Sequence, residues 1–307
     1  MHKILLSLIA VIGLAVSLAS GAMAKDFQVH LLLSDESEPY RKFAASFRNT
    51  LNGSGNRIEV VETQLVTGEN ADLLVAVGMK ATELASALKH TPILSVMVPE
   101  ASYRNLMAGQ PRLPRGSERS VIFLDQPLQR QLDFIFSAFP NHRRIGLLHG
   151  TESPVDLQAL RKEIEQRKGI LIAQNVETER TLYESMEQLL PQSDLLLSIP
   201  DRSIYGNRNI RNILLTSYRY RVPLIGLSES YVQAGAIGAI YSTPEQLGRQ
   251  AASSVSGYSS TRNMPGMEYP DEYQITFNQQ VARSLNIDLP DIGEVRRHLK
   301  RRSGGAG

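Results

Sequence analysis

Along the chain, short apolar runs alternate with stretches in which apolar positions recur every three or four residues. FQVHLLL (27–33) predicts a strand, and PYRKFAASFRNTL (39–51) a helix with Phe43, Phe47 and Leu51 on one face. RIEVVE (57–62) predicts a second strand. DLLVAVG (72–78) is apolar throughout, as expected of a strand covered on both faces. KATELASALKH (80–90) predicts a helix, PILSVMV (92–98) a strand, and SVIFL (120–124) a further strand after a Pro/Gly-rich segment at 109–116. Only TQLVTGENA (63–71) connects the second and third strands, fewer residues than a helical crossover needs, so this corner is expected to be poor in helix.

A second series follows. PLQRQLDFIFSAF (127–139) places Leu128, Leu132, Ile135 and Phe136 on one helical face, and RRIGLLHG (143–150) is a strand. A helix over 154–168, the strand GILIAQNV (169–176), a helix over 179–190, the strand DLLLSIP (194–200), a helix over 205–221 and the strand VPLIGLS (222–228) continue the alternation. GAIGAIYS (235–242), a helix over 244–257 and EYQITFN (272–278) read as chain returning across the two series. Strand–helix alternation specifies parallel sheets with helices on both faces. The expected fold is therefore α/β, with two doubly wound parallel-sheet lobes. Lobe 1 is placed at 25–124 plus 242–266, lobe 2 at 125–241 plus 267–295, and a basic flexible tail at 296–307.

The N-terminus changes the picture of where these lobes work. MHKILLSLIAVIGLAVSLASGAMA joins a short basic start, an apolar run from Ile4 to Ala19 and a small-x-small site at Ala22-Met23-Ala24. Residues 1–24 are expected to be a cleaved signal peptide, with an uncleaved membrane anchor as the alternative. There are no cysteines, so no disulfide staples the lobes and no cysteine carries a lipid. The expected product is soluble, periplasmic and not a lipoprotein. The formal charge of +2 falls to +1 once Lys3 leaves, which excludes the strongly basic footprint of a nucleic-acid binder.

No catalytic signature is present. The six histidines (2, 30, 90, 142, 149, 298) lack zinc-type spacing, and there is neither a G-x-S-x-G elbow nor a P-loop. No cofactor or metal is expected. The polar residues instead gather just beyond the strand ends, where open parallel sheets bind ligands. The candidates are Ser34, Asp35, Gly78, Met79, Lys80, Asp125, Thr151, Ser153, Asp201, Arg202, Ser228 and Glu229, with Tyr40 and Tyr205 as aromatic contacts. Helix N-termini suit a carboxylate and side-chain acids suit an ammonium group, so one cleft offering both fits a zwitterion. Asp201, Ser153 and Ser34 can also be read as caps of the helices that follow them.

Several segments, taken in order, resemble one family. They are NADLLVAVGMKATELA, DQPLQRQLDFIFSAFPNHRRIGLLHG, SDLLLSIPDRSI, RVPLIGLSESYVQAGAIGAIYSTPEQLGRQAA and ITFNQQVARSLNIDLP. They are similar to the ABC-transporter solute-binding proteins of the tryptophan- and tyrosine-binding type, which have the type I periplasmic binding fold. The resemblance implies two lobes joined by a three-stranded hinge that close on a small-molecule solute, delivered by a monomer to an inner-membrane ABC permease. It implies that Asp201 meets a ligand amino group, that Glu229 stands where the family often has aspartate, and that Ser153 and the loop Gly78–Ala81 meet a carboxylate. Pro200 replaces the family's threonine, and Arg202 replaces a small polar residue. A different class of function, a ligand-free binding fold acting as interaction or sensor partner of a membrane protein, fits the same sequence.

Overall fold

The computed structural model describes residues 26–64, 71–110, 117–150, 155–178, 181–206 and 208–303. The signal-peptide expectation for 1–24 and most of the connection between the second and third strands lie outside these residues. Among the described residues no helix is long and apolar enough to cross a membrane.

Lobe 1 runs β1 (Phe27–Leu33), α1 (Glu38–Asn52), β2 (Ile58–Thr63), β3 (Leu73–Val77), α2 (Met79–Ser86), β4 (Ile93–Val98), α3 (Glu100–Ala108) and β5 (Arg119–Phe123). Lobe 2 runs α4 (Leu128–Ala138), β6 (Arg144–Gly150), α5 (Leu157–Gln166), β7 (Ile170–Val176), α6 (Leu182–Leu189), β8 (Leu195–Leu197), α7 (Arg202–Tyr205), α8 (Ile210–Arg219), β9 (Leu224–Gly226), α9 (Glu229–Ala234) and β10 (Gly238–Tyr241). The chain then gives α10 (Pro244–Thr261) and β11 (Met267–Glu268) to lobe 1, and β12 (Gln274–Phe277), α11 (Gln279–Leu285) and α12 (Ile292–Ser303) to lobe 2. The sheets have the orders β11-β5-β4-β3-β1-β2 and β12-β10-β9-β8-β6-β7. Every pairing is parallel except β10 with β12.

The all-apolar β3 is buried at every position. Its period-two side chains divide between two cores: Leu73, Val75 and Val77 pack under α1 and α10, while Leu74 and Ala76 pack under α2. The two covering helices approach closely at Gly248, where a Cβ would sit 2.8 Å from the Phe43 carbonyl oxygen.

Three differences from the sequence reading have local causes. Met267 and Glu268 pair with Val121 and Ile122, so the returning chain stays in lobe 1 two residues beyond the expected boundary at 266. The expected helix over 205–221 is two helices, because Gly206 is extended and Asn209 Nδ2 donates to the Ser203 carbonyl at 3.0 Å. The expected flexible tail is mostly α12, which buries Val295 and Leu299 in the lobe 2 core. The dense arginines there mask an apolar pair four residues apart, enough to seat one helical face.

Three connections cross between lobes: 124–127, 242–243 and 269–273. They are bonded to one another. Gln126 Nε2 donates to Ser242 Oγ at 2.8 Å, and Ser242 Oγ donates to the Glu272 carbonyl at 2.5 Å. Arg130 Nη1 donates to Gln126 Oε1 at 2.8 Å and to the Pro270 carbonyl at 2.7 Å.

Candidate functional site

In each lobe the strand order reverses once, between β1 and β3 and between β6 and β8. Crevices at such points collect ligands. Here each is bridged by a side chain that the sequence reading singled out. Ser34 Oγ donates to the Val77 carbonyl at 2.8 Å and accepts from Ala81 N at 3.0 Å. Gly78 between them has φ +87, and a Cβ there would lie 2.6 Å from the Tyr40 hydroxyl. Asp201 bridges the other crevice. Its Oδ2 accepts from Gly150 N at 3.0 Å, and its Oδ1 accepts from Ser203 N at 3.0 Å and from Ser203 Oγ at 2.5 Å. Burial works to raise the Asp201 carboxyl, and these hydrogen bonds outweigh it, leaving it below the usual carboxylate range. Ser34 and Asp201 thus tie strand ends together, and Asp201 caps α7 as well.

The cleft itself holds a cavity of about 490 Å³. Lobe 1 contributes Glu100, Arg104 and Tyr269, the first crossing contributes Asp125 and Gln126, and lobe 2 contributes Gln131, Asp156 and Pro200 over a floor that includes Leu160, Leu197 and Ile199. Glu100 opens α3 directly after β4. Its Oε1 accepts from Arg104 Nη2 at 2.7 Å and Nε at 2.8 Å, and its Oε2 accepts from the Tyr269 hydroxyl. Asp125 Oδ2 accepts from Glu100 N. Burial pushes the Asp125 carboxyl up to about 6, against that hydrogen bond. Asp156 caps α5, its Oδ1 accepting from Gln158 N and Ala159 N at 2.9 Å each. Three carboxylates against one arginine make an acidic wall over an apolar floor.

The other sequence candidates separate. Asp35 is exposed, and hydrogen bonds from Ser37 hold its carboxyl below the usual range, with Lys80 adding to the effect. Met79 packs against Val98, Tyr103 and Phe123 rather than standing clear. Tyr205 is not an aromatic clamp: it is 3% exposed, and its hydroxyl donates to the carbonyls of Leu148 and Leu197 at 3.2 and 3.1 Å. It was drawn inward because those strand ends leave carbonyls that a phenol can satisfy. Ser228 Oγ lies 2.7 Å from Ser230 Oγ, and Glu229 attracts Lys42 of lobe 1. Thr151, Ser153 and the Arg202 side chain lie outside what is described.

Glu100, Arg104, Gln126, Asp156 and Tyr269 are lining residues that the sequence pattern does not single out. Glu100 follows a strand end through Pro99 and obeys the rule that found the others. Tyr269 follows a strand of two residues, too short to leave a pattern. Among the described residues the cavity lining has no histidine, serine or threonine, and no group of acids and histidines could hold a metal. The arrangement suits reversible binding of a polar molecule with some apolar surface.

Residues 40–292 match a family model described as ABC transporter substrate binding protein. No curated protein sequence matches the chain. Among solved structures, a conserved domain protein from Vibrio cholerae is 17% identical with TM-score 0.63, covering 89% of this chain and 98% of that one. An ABC domain in complex with L-Trp from Streptococcus pneumoniae is 16% identical with TM-score 0.61, covering 88% and 98%. A ligand-free, open substrate-binding protein with adhesive properties from Clostridium difficile is 14% identical with TM-score 0.66, covering 87% and 97%. At these identities the structural likeness shows the fold.

Proposed function

Because the chain belongs to the ABC transporter substrate-binding protein family, whose members bind solutes for a transporter rather than catalyse reactions, we propose that it is the exported, periplasmic solute receptor of an uptake system. Its solute carries an ammonium group and a modest apolar body, as an amino acid or related zwitterion does. The observation that carries this reading is the cavity wall: Asp125, Glu100 and Asp156 face one space whose floor is Leu160, Leu197 and Ile199. Asp125 is the ammonium acceptor in this reading, since Glu100 is engaged by Arg104 and Tyr269. Asp201, with its oxygens used within lobe 2, shapes the mouth through Pro200. The neighbour that holds L-Trp supports an amino acid as solute. Binding closes the lobes of a monomer about the three crossings and presents the closed form to an inner-membrane permease.

The open cavity argues against the alternative of a fold that has lost its ligand, in which side chains would fill the cleft. Titration calorimetry with amino acids, peptides, simple amines and small anions tests the reading, with small-angle scattering to follow closure. Binding of an ammonium-bearing solute with contraction supports it. If no solute binds and no contraction occurs, the interaction-partner reading takes its place.

A further inference from the structure

The molecule's charge is unevenly placed. Helix α12 carries Arg296, Arg297, Lys300, Arg301 and Arg302 against Glu294 alone, a net +4, while the whole chain sums to +2, leaving the remainder at −2. All five basic residues are exposed. The helix is seated on lobe 2, with Val295 and Leu299 in its core and Arg302 Nη1 on Asp133 Oδ1 at 3.0 Å. Arg296 donates to Gln274 Oε1 at 2.8 Å. Arg297 and Arg301, one turn apart, line a recess of about 390 Å³ with His298, Ser137 and Glu294.

We propose that this face of α12 docks on an anionic phospholipid surface, with headgroup phosphates entering the recess between Arg297 and Arg301. The apolar side chains of α12 are spent inside lobe 2, so the contact is electrostatic and lies on the membrane rather than in it. A specific protein interface draws on a buried apolar or aromatic centre, which this basic face lacks, whereas a charged bilayer asks only for clustered Arg and Lys. The recess is lined by Ser137 and the interlobe cavity by Gln131, six residues apart on α4, and the two share no lining residue.

All the buried clusters are built from Phe27 onward, so the test uses the chain from Lys25. The chain is pelleted with phosphatidylcholine vesicles, with and without phosphatidylglycerol. The expected result is binding only where phosphatidylglycerol is present, weakening as salt rises. The triple variant R297E/K300E/R301E should lose about tenfold or more of that binding, while R297K/R301K keeps most of it. Both should remain folded, because neither touches Val295 or Leu299. The proposal is overturned by equal binding to both vesicle types, by no binding at low salt, or by an unaffected triple variant. Capture by soluble polyglutamate without vesicle binding would assign the face to an acidic protein instead. Displacement by inorganic phosphate beyond a chloride control of equal ionic strength would make the recess a free-phosphate site. None of these outcomes bears on solute binding, which the triple variant should retain.

Discussion

Gln126 Nε2 donates to Ser242 Oγ at 2.8 Å across 116 residues of sequence, joining the first and second interlobe crossings through buried polar groups. With Arg130 on Gln126 and Pro270, and Ser242 on Glu272, all three crossings are bonded into one unit. In the proposed closure, the lobes turn on a hinge whose polar groups bond to one another.

Gln126→Ala removes both of its bonds and leaves the buried Ser242 hydroxyl without that donor. The expected loss is about 1–3 kcal/mol of stability, read as a lowered melting temperature. Scattering of the ligand-free variant should also show a broader range of lobe separations. An unchanged melt and an unchanged scattering profile would contradict the hinge assignment.

With Asp125 as the proposed ammonium acceptor, solute binding should depend on pH. Its carboxyl is raised to about 6 by burial, so it is protonated as pH falls through that value and loses its attraction for an ammonium group. Affinity should hold from neutral pH up to the point where the solute's own ammonium group deprotonates, and decline below about 6. The stability linkage has the opposite sense: a raised folded-state value favours the folded form at acid pH, and that contribution is lost as pH rises through about 6. Asp125→Asn should therefore bind the solute at least about tenfold more weakly, flatten the affinity profile and raise the melting temperature at alkaline pH. Calorimetry and melting across pH check both signs.

Asp133 sits almost buried between Arg167 Nε at 2.8 Å and Arg302 Nη1 at 3.0 Å, and Arg167 also holds Glu163 at 2.8 Å. Asp133→Ala takes away one of the two acids on the nearly buried Arg167 guanidinium and leaves Glu163 to hold it, so a loss of roughly 1.5–3 kcal/mol is expected. Arg302→Ala removes an exposed partner and should change stability by less than about 1 kcal/mol. Chemical denaturation of the two variants separates these outcomes.

Leu299→Ala tests whether α12 is part of the lobe 2 core. Leu299 is 2% exposed, so truncation should cost about 2–5 kcal/mol. A frayed terminus would show no change in the denaturation midpoint.

The wound sheets were legible because each strand and helix advertises its own period. β3 is buried at every position and α1 buries Phe43, Phe47 and Leu51, as their spacing predicts. The position of Asp125 beyond a strand end was legible for the same reason. The inward turn of Tyr205 was not, because its partners, the carbonyls of Leu148 and Leu197, come from β6 and β8, which pair with each other although β7 lies between them in sequence. Nor were Tyr269 and Asp156, which share one cavity although 113 residues separate them.

What the sequence determined by itself is the periodic, local part: two series of strands and helices, apolar faces that bury, and polar residues placed at strand ends. Hydrophobic patterning acts within a few residues, so it can be read along a line. The tertiary structure decided which of those polar ends share a space. It bound Asp201 to its own lobe, set Asp125 and Glu100 against the cavity, and seated a basic terminus on an apolar pair. Those outcomes depend on distances across chain crossings, where hydrogen bonds and desolvation act between residues far apart in sequence.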